Sequence, residues 1–312
     1  MGKMPEWIDL WMLSCSKNEM FDFLLVTDQN VQSHYSNVLV LHENLDQLRS
    51  RFSSALGFSV CLPRPYKLCD FKPLYALAFT EIVDKYDFWG HCDLDQIFGN
   101  LSTYITKSIL INFDVVGNRG HLMLYRNTKH INNLYKCKGS LFSYRKVFTN
   151  PESYNFDEMG GMCRIIEKSG TRWYKDVHAG NSYTKYQRFY APNGKHVPEI
   201  YVWKNGHVYR ASYENAVNVE EFSYFHFSSK YPKVKMDNNV NNYYLTSEKF
   251  EQRLSETFTK DEILSRTEYI SEKDDKMQFI KGIRGKLKKL RKQTFRQRMV
   301  NLYFNIVFKL GL

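Results

Sequence analysis

The sequence predicts an α/β protein in which a mixed sheet is flanked by helices. In the first half, short runs rich in β-branched and aromatic residues alternate with segments of helical periodicity. Residues 21–28 and 37–42 are predicted strands, and residues 45–56 are predicted to form a helix after them. With 312 residues, of which 43% are hydrophobic and 16% aromatic, the chain can bury a substantial core.

A predicted helix and a predicted strand lead to two closely spaced aspartates. Residues 74–86 have helical spacing, and residues 87–95 form a predicted buried strand that ends in Asp93 and Asp95. A helix over 97–105 and a strand over 113–117 are predicted to follow. Ligands of open α/β sheets bind at the carboxyl ends of strands, so this aspartate pair marks a candidate site.

The pattern changes near residue 150. A short helix is predicted over 158–170, a hairpin over 200–211 with Asn205-Gly206 as its turn, and a last core strand over 223–229. No internal repeat or low-complexity linker separates these segments. We therefore interpret 1–250 as one domain with two parts, about 1–118 and 119–250, followed by a helical region over 251–312.

The positive charge is concentrated at the end of the chain. The net charge is +11, and residues 281–312 hold ten of the 44 basic residues and no acidic one, which leaves 34 basic against 33 acidic residues elsewhere. Apolar residues in this segment recur mainly at spacings of three and four: Ile283, Leu287, Leu290, Met299, Leu302, Ile306 and Leu310. The pattern predicts a basic amphipathic helix that binds an anionic membrane surface.

Two other interpretations of this tail are a helix packed on its own domain and a nucleic-acid-binding arm. The second is disfavoured, because the body is nearly neutral and has no helix-turn-helix or RNA-binding sheet motif. We therefore expect no nucleic-acid partner. Since the sequence has neither a signal peptide pattern nor an apolar window of about 18 residues, we expect a cytoplasmic protein, peripheral on the inner face of the plasma membrane.

Asp93 and Asp95 have the spacing of a divalent-cation site. Two carboxylates separated by one residue can both reach one hard cation, which can in turn bridge two phosphate oxygens. A D-x-D triplet alone is also common in surface turns. Here Phe88, Trp89 and Cys92 place it at the end of a buried strand, where unpaired carboxylates are costly.

Several blocks in order resemble a known family. The block YKLCDFKPLYALAFTEIVDKYDFWGHCDLDQIFGNL, followed by RGHLMLYRN at 119–127 and FHF near residue 225, resembles bacterial glycosyltransferases of the GT-A fold found in capsule and O-antigen clusters. The resemblance covers about residues 3–230. It implies a GT-A-like, Rossmann-like sheet with a donor half at 1–118 and an acceptor half at 119–250. It also implies transfer of a hexose from a nucleotide sugar, UDP-linked, to a lipid-linked saccharide acceptor.

The resemblance assigns roles to individual residues of the donor half. Asp93 and Asp95 would bind Mn²⁺ or Mg²⁺, which holds the donor diphosphate, and His226 would complete the metal site. A nitrogen ligand favours Mn²⁺, although a core histidine is the alternative interpretation of His226. Further donor contacts are expected from four residues that precede the predicted strand 87–95: Asp28, Lys67, Asp70 and Lys72. The alternative interpretation of Asp28 is a simple turn residue, and that of Asp70 is a cap of the helix that follows it.

Asp157 and Glu158 are the expected catalytic residues of the acceptor half. In an inverting reaction, one carboxylate takes the proton of the acceptor hydroxyl, whereas a retaining reaction needs no such base. The alternative interpretation of both residues is a favourable charge at a helix N-terminus. The sugar, the acceptor and the stereochemistry are not predicted.

The sequence departs from the family pattern at its start. Related sequences open with an apolar strand just before the G-K-x-P segment, whereas here Met1 directly precedes Gly2-Lys3-Met4-Pro5. The resemblance therefore predicts that the first strand is missing, through a misplaced start or a real loss. Two alternative functions remain at this stage: an inactive glycosyltransferase-like protein and a basic nucleic-acid-binding protein.

Overall fold

The protein is a mixed α/β protein, as predicted. The computed structural model describes residues 1–118, 120–183, 188–189, 198–227, 231–237, 240–246 and 248–266, together with five single residues: Ile280, Arg284, Met299, Leu302 and Tyr303. Within this described part, no helix is both long enough and apolar enough to cross a membrane. The predicted amphipathic helix over 281–312 lies outside the described residues, apart from the last four of these single positions.

The first part of the chain alternates helices and strands. In chain order these elements are α1 (Ile8–Ser16), β1 (Phe23–Thr27), β2 (Val38–His42), α2 (Leu45–Leu56), the 3-10 helix η1 (Pro65–Leu74), α3 (Tyr75–Ala78), α4 (Thr80–Val83), β3 (Phe88–Cys92), β4 (Gln96–Phe98), α5 (Leu101–Tyr104), α6 (Lys107–Asn112), β5 (Val115–Asn118) and β6 (Leu122–Arg126).

The rest of the described chain is richer in strands. Its elements are the 3-10 helix η2 (Ile131–Lys136), α7 (Tyr144–Thr149), α8 (Met162–Ser169), β7 (Trp173–Tyr174), β8 (Gly180–Tyr183), β9 (Arg188–Phe189), β10 (Glu199–Lys204), β11 (His207–Ser212), β12 (Asn215–Phe222), β13 (Tyr224–His226), β14 (Lys233–Lys235), β15 (Asn242–Leu245), β16 (Lys249–Gln252) and α9 (Lys260–Arg266).

The sheet that positions the candidate site has the strand order β3-β6-β5-β7. Strand β6 runs antiparallel to both β3 and β5, and β5 runs parallel to β7. Strands β3, β5 and β7 therefore share one direction, and their carboxyl ends lie at the edge where β6 begins. Strands β1 and β2 pair in parallel in a separate two-stranded sheet.

A second sheet, β4-β13-β8-β9, supplies the other wall of the site. Strand β13 is antiparallel to β4, with His226 opposite Gln96. Because β4 starts directly after Asp95, this register brings residue 226 beside the D-x-D triplet. Helix α1 packs under this sheet with seven of its nine residues buried.

A third sheet, β12-β11-β10-β15-β16-β14, occupies the C-terminal part of the described chain. Helix α9 belongs to the same unit, since the buried Arg253 pairs with Glu262 of α9 at 2.7 Å. Strand β16 crosses the boundary that we predicted at residue 250, and the β5–β6 hairpin crosses the one at 118. Between residues 251 and 266 the region predicted to be helical contains the end of β16 and the single helix α9.

Local signals predicted some elements well. Helix α2 has the predicted bounds, with an Asn44–Gln47 capping box at its start and a left-handed Gly57 after its end. The β10–β11 hairpin turns at Asn205-Gly206, and both residues have positive φ, as a type I′ turn requires.

Two predicted elements were wrong in detail. The helix predicted over 74–86 is interrupted at Phe79, where φ of −127° leaves the helical region. The helix predicted over 97–105 begins instead with strand β4 and becomes helical only at Leu101. Pairing of β4 with the distant β13 overrides the local helical preference there.

Candidate functional site

Three side chains from distant parts of the chain meet at one point. Asp93, Asp95 and His226 each offer one ligand atom, and these atoms lie within 4.8 Å of one another. His226 Nε2 is 3.5 Å from Asp95 Oδ2. The sequence predicted both the D-x-D pair and the later histidine, and the fold brings them together.

Backbone hydrogen bonds hold the D-x-D triplet on each side. Asp93 N donates to the carbonyl of His121, at 3.0 Å, just before β6 begins. Phe227 N donates to the carbonyl of Asp95, also at 3.0 Å. Trp7 Nε1 donates to the carbonyl of Leu94 at 2.7 Å, so the loop is fixed by three separate segments.

The chemistry of this group fits a divalent cation. Two carboxylates and one imidazole form a mixed oxygen and nitrogen ligand set, and the imidazole nitrogen suits Mn²⁺ better than Mg²⁺. Burial raises the pKa of Asp93 above its ordinary value, although the nearby Lys72 ammonium opposes this. A bound cation, like the Lys72 ammonium, would favour the charged form of Asp93 and lower its pKa.

Lys72 connects this group to the predicted catalytic carboxylates. Its Nζ lies 2.6 Å from Asp93 Oδ1 and 2.7 Å from Asp157 Oδ2. It also lies 3.3 Å from the carbonyl of Gly120. The Lys72 side chain is buried, and its single ammonium balances the buried carboxylate of Asp157 and the partly exposed one of Asp93.

Asp157 and Glu158 lie on the other side of Lys72. Burial raises the pKa of Asp157 to about 6 and that of Glu158 to about 7. The negative charges of Asp157 and Asp93 raise the pKa of Glu158 further. Asp157 Oδ1 is buried without a hydrogen-bond partner among the described residues. A Cβ atom at residue 120 would lie only 3.1 Å from Glu158 Cγ. The absence of a side chain at Gly120 therefore leaves room for Glu158.

Lys67 and Asp70 have a different role from the donor contact that we predicted. Both are fully buried, and Lys67 Nζ donates to Asp70 Oδ2 at 2.7 Å and to the carbonyl of Val147 at 2.7 Å. Asp70 Oδ1 accepts hydrogen bonds from the backbone N–H groups of Tyr154 and Phe156. Because their polar atoms bind the chain itself, these two residues hold the segment that leads to Asp157.

Asp28 stands apart from the metal group. It follows β1, and its Oδ1 accepts a hydrogen bond from Gln29 and lies 3.5 Å from the N-terminal amine. The hydrogen bond from Gln29 is the main cause of its lowered pKa. Within the described chain, no hydrogen bond or ion pair joins Asp28 to Asp93, Asp95 or His226, and its contact with the donor stays a prediction.

Sequence reasoning missed His121. Its ring lies against the ring of His226, with centroids 3.8 Å apart and planes inclined by 33°. The residue falls in the quoted block RGHLMLYRN, but nothing in its local pattern marks it as part of a site. Only the pairing of β6 with β3 places it beside the D-x-D triplet.

The fold and this geometry define a class: a mixed α/β protein with a candidate cation site at a sheet edge, next to the buried Asp157 and the partly buried Glu158. The chain belongs to DUF6625, a family of unknown function, whose model matches residues 1–254. No curated protein and no solved structure matches the chain.

Proposed function

We propose that this protein is a metal-dependent glycosyltransferase of bacterial surface-polysaccharide synthesis. It transfers a hexose from a nucleotide sugar, UDP-linked, to a saccharide acceptor that is itself lipid-linked. The observation that carries the proposal is the convergence of Asp93, Asp95 and His226 beside the Asp157-Glu158 pair. A cation site next to carboxylates of raised pKa combines a site for the donor diphosphate with a candidate base for the acceptor hydroxyl.

The donor half of the mechanism depends on charge. Asp93, Asp95 and His226 would hold Mn²⁺, or Mg²⁺, and the cation would neutralise the diphosphate that leaves with the nucleotide. Lys72 lies within hydrogen-bonding distance of Asp93, so its ammonium also contributes positive charge at this edge. The Trp7 and Phe227 contacts keep the D-x-D backbone in place while the donor binds.

The acceptor half depends on Asp157 and Glu158. In an inverting reaction, one of them accepts the proton of the attacking hydroxyl, and a pKa near 6 or 7 is well suited to a base at neutral pH. In either stereochemistry, their negative charge stabilises an oxocarbenium-like transition state. The anomeric configuration of the product distinguishes the two courses.

The topology supports a GT-A-like interpretation of the fold. The D-x-D triplet follows β3 at the edge where β3, β5 and β7 all end, which is where open α/β sheets bind ligands. The third ligand comes from a small second sheet that packs beside the first.

The deciding experiment is calorimetric titration of the purified protein with a panel of UDP-hexoses, with and without Mn²⁺. We expect saturable binding of at least one donor, and its loss with a chelator, with Asp93→Asn or with Asp95→Asn. Asp46→Asn is the matched control, because Asp46 is a well-exposed aspartate of α2. A folded protein that binds none of the donors would contradict the proposal.

Turnover separates the active enzyme from an inactive relative. Donor binding without metal-dependent release of UDP, in the presence of lipid-linked acceptors, would identify a glycosyltransferase-like binding protein. A salt-sensitive shift of DNA or RNA in a gel, with no donor binding, would support the nucleic-acid alternative.

The basic tail is proposed to dock the enzyme at an anionic membrane. Each basic residue near an anionic leaflet contributes on the order of 1 kcal/mol, so ten of them in residues 281–312 give strong attraction at low salt. Co-sedimentation with phosphatidylglycerol vesicles should be strong, and with phosphatidylcholine vesicles weak. Replacing Lys288, Lys289, Arg291 and Lys292 with glutamine should weaken binding to the phosphatidylglycerol vesicles and so reduce the difference.

A further inference from the structure

His121 is hydrogen-bonded through its backbone to the D-x-D triplet and to Gln96, the residue that follows the triplet. Its carbonyl oxygen accepts hydrogen bonds from Asp93 N at 3.0 Å and from Gln96 Nε2 at 2.5 Å. Strand β6 begins at the next residue, Leu122, and Gly120 before it has a φ of +82°. The position of the His121 backbone is therefore fixed relative to Asp93.

The His121 ring in turn lies on the ring of His226. The centroid separation of 3.8 Å and the 33° inclination make it a close, tilted ring contact. His226 is buried on β13, with Nε2 directed to within 3.5 Å of Asp95 Oδ2. A ring this close restricts rotation of the His226 imidazole, and this rotation determines where Nε2 points.

We propose that His121 is a positioning residue that orients His226 and so determines which cation the site prefers. The inference rests on the metal site of the proposed function. Asp93 and Asp95 offer oxygen, which Mg²⁺ and Mn²⁺ both accept, whereas the imidazole nitrogen favours Mn²⁺. The orientation of His226 Nε2 therefore contributes to the affinity for Mn²⁺ and much less to the affinity for Mg²⁺.

The experiment uses the full chain and the metal alone. Mn²⁺ affinity is measured by electron paramagnetic resonance and Mg²⁺ affinity by competition, in the wild type and in His121→Ala, His121→Phe, His226→Ala and the His121→Ala/His226→Ala double variant. His130→Ala, at an exposed histidine, is the matched control. Circular dichroism melts verify that each variant is folded.

For His121→Ala we expect Mn²⁺ affinity to fall about tenfold, the lower end of the effect of removing a group that orients a ligand, and Mg²⁺ affinity to change little. His121→Phe should restore most of the Mn²⁺ affinity, since phenyl keeps a flat ring against His226. The double variant should match His226→Ala alone, because His121 acts through His226. In the electron paramagnetic resonance of bound Mn²⁺, the modulation that comes from the coordinated His226 nitrogen should weaken in His121→Ala.

An unchanged Mn²⁺ affinity in His121→Ala would overturn the inference. So would a His121→Phe variant as weak as His121→Ala, because the nitrogen atoms of His121 rather than its flat face would then be required. A wild type that binds Mn²⁺ but no nucleotide sugar would contradict the glycosyltransferase proposal and leave this inference intact. A wild type that binds no Mn²⁺ would overturn both.

Discussion

Lys72 is the residue on which the charge balance of the candidate site depends. It is buried between Asp93 and Asp157, and its ammonium lies within 2.7 Å of an oxygen of each. Both carboxylates would otherwise repel one another in a poorly solvated interior, where such repulsion is strong. The same contact links the predicted metal ligands to the predicted base.

Replacing Lys72 with methionine should destabilise the protein. The substitution keeps most of the side-chain volume and leaves two neighbouring carboxylates without their cation, so we expect a loss of about 3 kcal/mol in the free energy of unfolding. Urea denaturation at pH 7.5 measures it. Lys175→Met, at a half-exposed lysine paired with Glu167, should change the stability by less than about 1 kcal/mol. Equal effects of the two substitutions would contradict the central role of Lys72.

Glu158 should make stability depend on pH. Its pKa is raised from 4.5 to about 7 by burial, so between these values the folded protein binds more protons than the unfolded chain does. The contribution of Glu158 to stability is therefore complete below pH 4.5 and is lost as the pH rises through about 7.

Urea denaturation between pH 4.5 and 8 tests this dependence. Glu158→Gln cannot ionise, so its stability should fall less than that of the wild type over the same range. Glu167→Gln, at an exposed glutamate, serves as the control and should follow the wild-type curve. Parallel curves for the wild type and Glu158→Gln would show that Glu158 has an ordinary pKa.

At the scale of elements, the 3-10 helix η1 organises both halves of the site. A 3-10 helix has three residues per turn, so Lys67 and Asp70 share one side of it, and Cys69 and Lys72 share another. The first side binds the segment from Val147 to Phe156, and the second faces Asp93 and Asp157. One short helix therefore fixes the loop before Asp157 through Lys67 and Asp70, and it also supplies the Lys72 ammonium that pairs with Asp157.

Lys67→Met should weaken catalysis without removing donor binding. The buried Asp70 loses its ion-pair partner, which typically costs about 3 to 5 kcal/mol of stability, and the 147–156 segment loses its hydrogen bond from Lys67 to Val147 while it keeps those to Asp70. The D-x-D triplet keeps its own contacts. Calorimetry at low temperature, where the variant stays folded, should give an unchanged Kd for the Mn²⁺-donor complex, while kcat for transfer falls. Lys129→Met, at an exposed lysine between β6 and η2, should change neither value.

At the scale of the whole molecule, the candidate metal site depends on complete folding. Two of its three candidate ligands follow β3, and the third lies on β13. Strand β3 pairs with β6 in one sheet and β13 pairs with β4 in another, and both pairings join distant parts of the chain. The unfolded chain has no reason to hold these side chains together. A bound cation must therefore stabilise the native state as a unit.

Mn²⁺ should raise the midpoint of thermal unfolding. At a free concentration of 100 times its Kd, a ligand specific for the native state adds about 2.7 kcal/mol. Differential scanning calorimetry should show this shift in the wild type and in Asp46→Asn, and no shift in Asp95→Asn. A shift that persists in Asp95→Asn would place the bound cation elsewhere.

The sequence by itself determined the features that arise from short-range physics. The periodicity of α2, the Asn205-Gly206 turn and the apolar run before Asp93 each act within a few residues, and the structure contains all three. The D-x-D pair belongs to this group, because its spacing alone lets both carboxylates reach one cation.

Only the tertiary structure decided how the polar side chains are used. Lys67 and Asp70 are charged residues next to a predicted helix, a pattern equally typical of a ligand contact and of a buried ion pair. Their burial against residues 147–156 selected the second role. His121 became visible only through the β3–β6 pairing, and His226 reached Asp95 only through the β4–β13 register. Contacts between residues far apart in sequence depend on strand pairing and core packing, which local patterns do not specify.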